Sequence, residues 1–220
     1  MILFTFNKML EEGNVVDSFL KSKLSVLYKN KGSPQECTNY RGLMLSPVMA
    51  KVFIKMITFK IYEYVESIGL LPESQAAGFR QNRSCTDMNF ILNDIRNQCK
   101  KYGMDLYIAF IDFLKAYDSV HRNTLWRILK TIGIPDKLMK PVIYMYGNSV
   151  TRVLEINGTC SEYFSTSTGL RQGCPLSPLL FTIYSAYVRK IIVKGLDPSD
   201  GIQIRSKIID NLVHYPGSGC

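Results

Sequence analysis

The sequence predicts an α/β fold in which helices and strands are mixed. Apolar residues recur at helical spacing over residues 48–68, which indicates an amphipathic helix. Residues 106–111 form a short run that is almost wholly apolar, and such a run is typical of a strand buried on both faces. Residues 151–165 alternate in polarity around Asn157 and Gly158, a pair that favours the tight turn of a β-hairpin.

Helical spacing recurs along most of the remaining chain. Ser46 and Pro47 suit the first residues of the helix over 48–68, and Gly69 suits its end. A short apolar segment at 202–204 is a further strand candidate. Helices are expected over 7–28, 48–68, 86–99, 123–131, 135–146 and 177–188.

The pattern changes from helical to mixed near Gly103, where we expect a domain boundary. Residues 1–103 then form a helical, basic part, and residues 104–220 a part with both helices and strands. The chain has 27 Lys and Arg against 18 Asp and Glu, a formal net charge of +9. This balance suits a phosphate-rich partner such as nucleic acid, although a basic surface without such a partner is the alternative.

Cysteine and histidine usage excludes some classes of protein. The six cysteines form no C-x-x-C pair, and His121 and His214 lie far apart, so a structural zinc site is not expected. Scattered cysteines are typical of reduced thiols in the cytoplasm or nucleus. The apolar N-terminus is too short for a signal peptide, and no run approaches a membrane span, so we expect a protein neither secreted nor membrane-bound.

Asp112 follows the predicted buried strand directly. A carboxylate at such a position costs desolvation free energy unless something compensates it, and a divalent cation is one compensation. The alternative is a carboxylate that emerges into solvent where the strand ends. The residues around Asp112 are AFIDFLKAYDSV, at 109–120.

This segment resembles the first catalytic motif of LINE and group II intron reverse transcriptases. The resemblance implies that Asp112 is catalytic and binds both metal ions, which are expected to be Mg²⁺, and that Phe113 contributes its backbone carbonyl. Tyr117 takes the position of the steric gate, an aromatic ring that rejects the 2′-hydroxyl of a ribonucleotide; an ordinary core aromatic is the alternative. Asp118 is better explained as a helix or turn cap than as a metal ligand.

A second motif, TGLRQGCPLSPLLF, occupies residues 168–181. Gly169 and Gly173 permit tight backbone, and two prolines fix φ before a helix. The string closely resembles the family's R-Q-G-x-P-L-S-P-x-L-F. In that family the glutamine, here Gln172, contacts the incoming nucleotide, and the loop shapes the pocket beside the templating base. Without the resemblance, an ordinary junction between a loop and a helix explains the same residues.

Two basic segments resemble the fingers of the family. Residues 29–32 and 39–46 resemble K-K-G and N-Y-R-P-I-S-L, which implies that Arg41, with Lys31, binds the nucleotide triphosphate. Gly42 and Met44 depart from that pattern, and a charged surface turn explains Lys31 equally well.

Residues 75–87 resemble Q-A-G-F-R-x-x-R-S-x-x-D with one inserted Ala. The resemblance implies that Arg80 and Arg83 lie near template or primer phosphates. The alternative is that both arginines hold the fingers together.

The family pattern continues to a hairpin that carries Tyr-x-Asp-Asp. Here Tyr215 is followed by Pro216-Gly217-Ser218, and Asp210 has no assigned role. Two-metal phosphoryl transfer requires more than one carboxylate. We therefore expect an inactive fragment; a non-catalytic RNA-binding domain and an inert transposon relic are the alternatives.

The resemblance implies a right-hand polymerase with fingers and an incomplete palm, in which an antiparallel palm sheet is flanked by helices and the thumb is absent. The family extends a primer 3′-hydroxyl with deoxynucleoside triphosphates on an RNA template, so nucleic acid and nucleotide are the expected partners. The sequence does not predict an oligomeric state.

Overall fold

The computed structural model describes residues 1–71, 80, 84–108, 110, 112–154, 158–194, 202–204 and 207–209. The helices are α1 Ile2–Glu12, α2 Asp17–Leu20, α3 Val48–Ser67, α4 Cys85–Tyr102, α5 Arg122–Thr131, α6 Asp136–Asn148 and α7 Ser177–Lys194. The strands are β1 Lys21–Tyr28, β2 Tyr40–Leu45, β3 Val150–Val153, β4 Ile202–Ile204 and β5 Lys207–Ile209. None of the helices within the described ranges is long and apolar enough to cross a membrane.

Strand β1 is the centre of a mixed three-stranded sheet with the order β2-β1-β3. It pairs antiparallel with β2, from Lys23 opposite Leu45 to Tyr28 opposite Tyr40. It pairs parallel with β3, from Lys21 opposite Val150 to Leu24 opposite Val153. Strands β4 and β5 form a separate antiparallel pair.

The chain forms two compact units. The first unit consists of Met1–Tyr64 and Tyr117–Phe181, and the second of Val65–Ala116 and Thr182–Cys220. Both units are discontinuous in sequence. The predicted boundary between fingers and palm divides the sequence once, near Gly103, and does not correspond to these two units. It stays a prediction.

Aromatic and aliphatic side chains form the core of the first unit. The fully buried ring of Phe53 lies 5.1 Å from the ring of Phe6 and 6.3 Å from that of Phe19, so α1, α2 and α3 pack together. Burying each of these rings removes a large apolar area from water, which stabilises the unit. The other fully buried side chains of this unit include Ile57, Ile61, Val120, Leu125, Leu129, Leu176 and Leu180.

In the second unit, helix α4 has well-formed ends. Ser84 accepts a hydrogen bond from the Asp87 amide while the Asp87 carboxylate accepts one from the Ser84 amide, which is a capping box. Gly103 ends the helix in the left-handed conformation with φ 65°. Its buried face carries Met88, Ile95 and Cys99.

The predicted helices over 48–68, 86–99, 123–131, 135–146 and 177–188 are confirmed by α3 to α7. The predicted strand at 202–204 is confirmed as β4. The single helix predicted over 7–28 is wrong at residues 13–16, which separate α1 from α2, and at residues 21–28, which form β1. Leu24 and Leu27 fit helical spacing, whereas Leu24, Val26 and Tyr28 fit strand alternation, and pairing with β2 and β3 decides between the two.

The β-hairpin predicted around Asn157 and Gly158, over residues 150–166, is confirmed in its pairing. Thr151 and Phe164 exchange two backbone hydrogen bonds of 2.8 Å, and Leu154 bridges Cys160 antiparallel. Asn157 lies outside the described residues, and Gly158 has φ 86°.

The central strand predicted over 106–111 is not observed among the residues of this run that the structure describes. Ala109 and Ile111 lie outside the described residues, and the others have irregular backbone, with Tyr107 90% and Phe110 78% exposed. A buried strand needs neighbours for its N–H and C=O groups, and no described strand pairs with this run. The described strands form the β2-β1-β3 sheet and the β4-β5 pair. An antiparallel palm sheet around residues 106–111 is not observed among the described residues.

Candidate functional site

Two glycines shape the loop that precedes α7. Gly169 has φ 78° and Gly173 has φ 95°, a region that favours glycine. A Cβ on Gly169 would lie 2.9 Å from the Cα of Asp118, and one on Gly173 would lie 2.7 Å from the carbonyl oxygen of Met44. At these two positions the loop lies so close to other backbone segments that only glycine, which has no side chain, fits. The tight backbone predicted from Gly169 and Gly173 is therefore observed.

The loop is bonded to strand β2. The Met44 amide donates to the Gln172 carbonyl at 2.9 Å. The buried Arg171 guanidinium donates to the Met44 thioether sulfur at 2.9 Å and to the Ser22 hydroxyl of β1 at 3.2 Å. Gln172 is half-buried and Gly173 is exposed, so this side of the loop remains accessible.

The loop is also bonded to the turn that leads into α5. The Leu170 amide donates to the Tyr117 carbonyl at 2.8 Å, and the Gly169 amide donates to the Val120 carbonyl at 3.0 Å. The half-buried Tyr117 ring lies 5.3 Å from the Phe181 ring, with an interplanar angle of 36°. Burial raises the pKa of the Tyr117 phenol to about 12, so the phenol is neutral at physiological pH. Asp118 is exposed in the turn, and the side chain of His121, not of Asp118, caps α5.

Arg41 and Lys31 belong to β2 and to the connection before it. Arg41 is exposed and pairs in register with Leu27. Lys31 is exposed between Asn30, with φ 53°, and Gly32, with φ 78°. Lys29 Nζ donates to the Thr38 carbonyl at 2.8 Å and so joins the two ends of the connection between β1 and β2. Lys31 therefore lies in a turn that is held by hydrogen bonding.

Asp112 and Phe113 lie in the second unit, where both are exposed. The position of Asp112 suits a carboxylate that binds a cation or one that simply meets water. Within the described ranges, no group of three or more His, Cys, Asp or Glu side chains is placed to hold a metal ion. A metal-binding role for Asp112 therefore stays a prediction.

Arg80 is engaged in an ion pair within the second unit. Its guanidinium donates to both carboxylate oxygens of Glu66, each at 2.8 Å, and its side chain is only 13% exposed. This bidentate geometry supports the alternative in which Arg80 holds the fold together. Arg83 lies outside the described residues, as do Asp210 and Tyr215.

The geometry around the 168–181 loop agrees with a comparison of the sequence with known families. Residues 21–204 match the family described as reverse transcriptase (RNA-dependent DNA polymerase). The chain belongs to the reverse transcriptase family.

Relatives of this reverse transcriptase domain come from retrotransposons. The Retrovirus-related Pol polyprotein from type-1 retrotransposable element R2 of Nasonia vitripennis is 29% identical over 192 residues, which cover 84% of this chain and 18% of that protein. The probable RNA-directed DNA polymerase from transposon X-element of Drosophila melanogaster is 28% identical over 169 residues, which cover 74% of this chain and 18% of that protein. The chain is thus a LINE-type (non-LTR) reverse transcriptase domain, and it spans 18% of the length of each of these relatives.

Three reverse transcriptase motifs meet in the first unit. Main-chain bonds join the 168–181 loop to β2, which carries Arg41, and to the turn at Tyr117. Tyr117, Gln172 and Gly173 are therefore parts of one structure, and Arg41 lies on a strand bonded to it. Asp112 and Phe113 belong to the other unit, and their predicted convergence on the same nucleotide stays a prediction.

Sequence reasoning missed Arg122. This buried residue donates to the carbonyls of Gly169 and Tyr146, at 2.8 and 3.1 Å, and to the Thr166 hydroxyl at 2.8 Å. The available signal was its place in the first turn of α5, where the helix dipole disfavours a cation unless other groups stabilise it.

Proposed function

We propose that this chain forms the nucleotide-binding and template-binding part of an RNA-directed DNA polymerase. In the proposed reaction, a primer 3′-hydroxyl attacks the α-phosphate of a deoxynucleoside triphosphate on an RNA template. The observation that carries the proposal is the joining of three motifs by main-chain hydrogen bonds. The Gln172 carbonyl accepts from Met44 of β2, and the Tyr117 carbonyl accepts from Leu170 of the loop.

The proposed roles follow from exposure and chemistry. Gln172 offers a donor and an acceptor to the incoming nucleotide beside Gly173, whose missing side chain leaves room. Tyr117, a neutral ring held against Phe181, is the proposed steric gate against a 2′-hydroxyl. Arg41 and Lys31 are exposed cations suited to the triphosphate.

Template contact is proposed for the basic segments as a whole. The formal net charge of +9 favours binding to RNA or to a primer-template duplex, and such binding weakens as salt rises because phosphate counterions are released. Arg83 is the stronger candidate of its pair, since Arg80 is bonded to Glu66.

The family uses a divalent metal, and Mg²⁺ is the proposed ion because it takes oxygen ligands and substrate phosphates. Asp112 and the backbone carbonyl of Phe113 are oxygen donors of the right kind. The described residues provide no complete metal centre, and Tyr215 is followed by Pro216-Gly217-Ser218 in place of x-Asp-Asp. We therefore propose that this chain retains binding and that catalysis requires carboxylates it does not supply.

A nucleotide-binding experiment tests the proposed pocket. With Mg²⁺ present, the chain should bind a fluorescent deoxynucleotide more tightly than the matching ribonucleotide, measured by anisotropy. Gln172→Ala should weaken binding by about two- to tenfold, the effect of one lost hydrogen bond. Tyr117→Ala should reduce the preference for the deoxynucleotide.

The matched control for Gln172→Ala is Gln35→Ala, which removes an exposed side chain of the same chemistry from the β1–β2 connection. Its affinity should equal that of the unchanged protein. If Gln172→Ala and Gln35→Ala bind alike, Gln172 does not contact the nucleotide.

A primer-extension experiment tests the second part of the proposal. The 220-residue chain should not incorporate labelled nucleotide, because two-metal chemistry needs more carboxylates than Asp112. A chimera extended with a Tyr-x-Asp-Asp hairpin and a thumb should incorporate it, and Asp112→Ala in the chimera should abolish this activity. Incorporation by the unmodified chain that disappears in Asp112→Ala would place the second carboxylate among its own residues.

A further inference from the structure

Arg122 is a buried cation without an acidic partner among the described residues. Arg122 as a whole is 9% exposed, and no described carboxylate lies within ion-pair distance of its guanidinium. Nε donates to the Gly169 carbonyl at 2.8 Å, Nη1 donates to the carbonyls of Tyr146 and Thr166, and Nη2 donates to the Thr166 hydroxyl at 2.8 Å. The guanidinium also lies 5.1 Å from the centre of the Tyr146 ring.

Burying such a charged residue costs free energy of desolvation. Desolvation lowers the pKa of Arg122, which shows that burial disfavours its charged form. Neutral carbonyls and an aromatic face offset part of this cost, but an apolar side chain of similar volume would avoid it. Arg122 therefore contributes chiefly by fixing the positions of the groups to which its guanidinium donates hydrogen bonds, and not by stabilising the fold.

Tyr146 provides a second set of contacts to the same loop. Its hydroxyl lies 3.1 Å from the Ser177 hydroxyl, which in turn donates to the Arg171 carbonyl at 2.7 Å. A serine hydroxyl has one proton, so Tyr146 must be the donor in the first of these bonds. Burial raises the pKa of the Tyr146 phenol well above its usual range, so this proton is retained.

The two sets of contacts reach carbonyls on either side of Leu170. Arg122 binds the carbonyl of Gly169, and Tyr146 acts through Ser177 on the carbonyl of Arg171, the residue immediately before Gln172. The amides of the same stretch donate to Tyr117 and Val120. Because both the carbonyls and the amides of this stretch are hydrogen-bonded, the loop has few alternative conformations.

We propose that Arg122 and Tyr146 are positioning residues that preorganise the Gln172 loop for the incoming nucleotide. The proposal rests on the proposed function, because it assigns to these residues the geometry of the same pocket. Neither side chain is proposed to touch the nucleotide. A small displacement of a positioning group weakens the interactions of the group it places, so their removal should act through Gln172.

Tyr146→Phe is the most selective test, because it removes one hydroxyl and keeps the ring beside Arg122. Hydrogen exchange by mass spectrometry reports on the amides of Gly169 and Leu170 without any nucleotide. We expect faster exchange in the peptide that contains them. We also expect deoxynucleotide affinity to fall by about two- to tenfold, as for one lost hydrogen bond.

Tyr64→Phe is the matched control. It removes a phenol that donates to the Ile132 carbonyl at 3.0 Å, after the end of α5 and in the same unit. It should cost similar stability in urea, yet leave loop exchange and nucleotide affinity unchanged. This comparison separates a positioning role from a merely structural one.

Arg122 is tested by a pair of variants. Arg122→Lys keeps the charge and loses the planar fork of donors, whereas Arg122→Met loses both. We expect loop exchange to increase from the unchanged protein to Arg122→Lys to Arg122→Met. If Arg122→Met does not fold, the loop exchange rates of Arg122→Lys and Tyr146→Phe still test whether these residues hold the loop.

The outcomes are distinguishable. Unchanged loop exchange in both Tyr146→Phe and Arg122→Lys overturns the proposal, whatever the nucleotide affinity. Equal effects of Tyr146→Phe and Tyr64→Phe on exchange and affinity also overturn it. If the unmodified chain binds no nucleotide, the proposed function fails, and the exchange rates alone report whether these residues hold the loop.

Discussion

The 168–181 loop and the 104–116 segment carry reverse transcriptase motifs, yet their structural support differs. The loop is bonded to β2 and to the turn at Tyr117, and its Arg171 is buried. In the 104–116 segment, the described residues have irregular backbone, and Tyr107 and Leu114 are 90% and 88% exposed. A motif that identifies chemistry therefore does not by itself specify local order, which depends on the partners available to the segment.

The partners of the loop are polar as well as apolar. Side chains from α5 and α7 bind its carbonyls, and its glycines bring it against two backbones. The apolar run at 106–110 has no comparable partner among the described residues. The difference leads to three predictions about stability, in order of decreasing effect.

The largest effect is expected for a pair of leucines, one from each segment. Leu176 is 0% exposed and Leu114 is 88% exposed. Leu176→Ala should lower the free energy of unfolding by about 2–5 kcal/mol, because a cavity adds to the lost burial. Leu114→Ala should change it by less than about 0.5 kcal/mol. Urea denaturation measures both, and a comparable loss in Leu114→Ala would show that the segment is packed in solution.

A smaller effect is expected for a pair of glycines with positive φ. Gly173→Ala adds a left-handed alanine and a methyl group 2.7 Å from the Met44 carbonyl, so it should cost about 2–3 kcal/mol. Gly103→Ala adds only the conformational cost of about 1 kcal/mol, because nothing lies within 4 Å of its Cβ. Thermal unfolding of the two variants compares them. Equal losses would mean that the loop moves away from β2 without cost.

The smallest effect concerns alkaline pH. Burial raises the pKa of Tyr117 to about 12, above the value of about 10 for an unfolded tyrosine. The stability from this shift is complete below about pH 10 and is lost as pH rises towards 12. Tyr117→Phe should therefore flatten the decline of the free energy of unfolding over this interval.

Tyr107→Phe is the control for the alkaline decline, since Tyr107 is 90% exposed and should leave the decline unchanged. Part of the decline should persist in Tyr117→Phe, because the buried Tyr146 also has a raised pKa. An identical decline in both variants and in the unchanged protein would show that Tyr117 is not buried in solution.

Local chemistry predicted much of the fold and the site. Helical spacing located α3 to α7, and the glycines of the loop marked its positive φ values. Strand β1 could not be predicted, because Leu24 and Leu27 lie at helical spacing and the partner strand β3 lies far along the chain. Arg122 was missed for a related reason: its acceptors come from Tyr146, Thr166 and Gly169, and only the folded chain brings them together.

The parallel pairing of β1 with β3 has a consequence for biosynthesis. Ser22 and Thr151, whose hydroxyls lie 2.9 Å apart in the sheet, are separated by 129 residues. At ribosomal rates of about 5–20 residues per second, β1 waits roughly 6–26 seconds for its partner. During this interval one edge of β1 is unpaired, and α1 and α2 lack helix α6, which packs against both of them in the folded unit. Nascent chains stalled before residue 150 should therefore bind chaperones, and release should follow once β3 has left the ribosome.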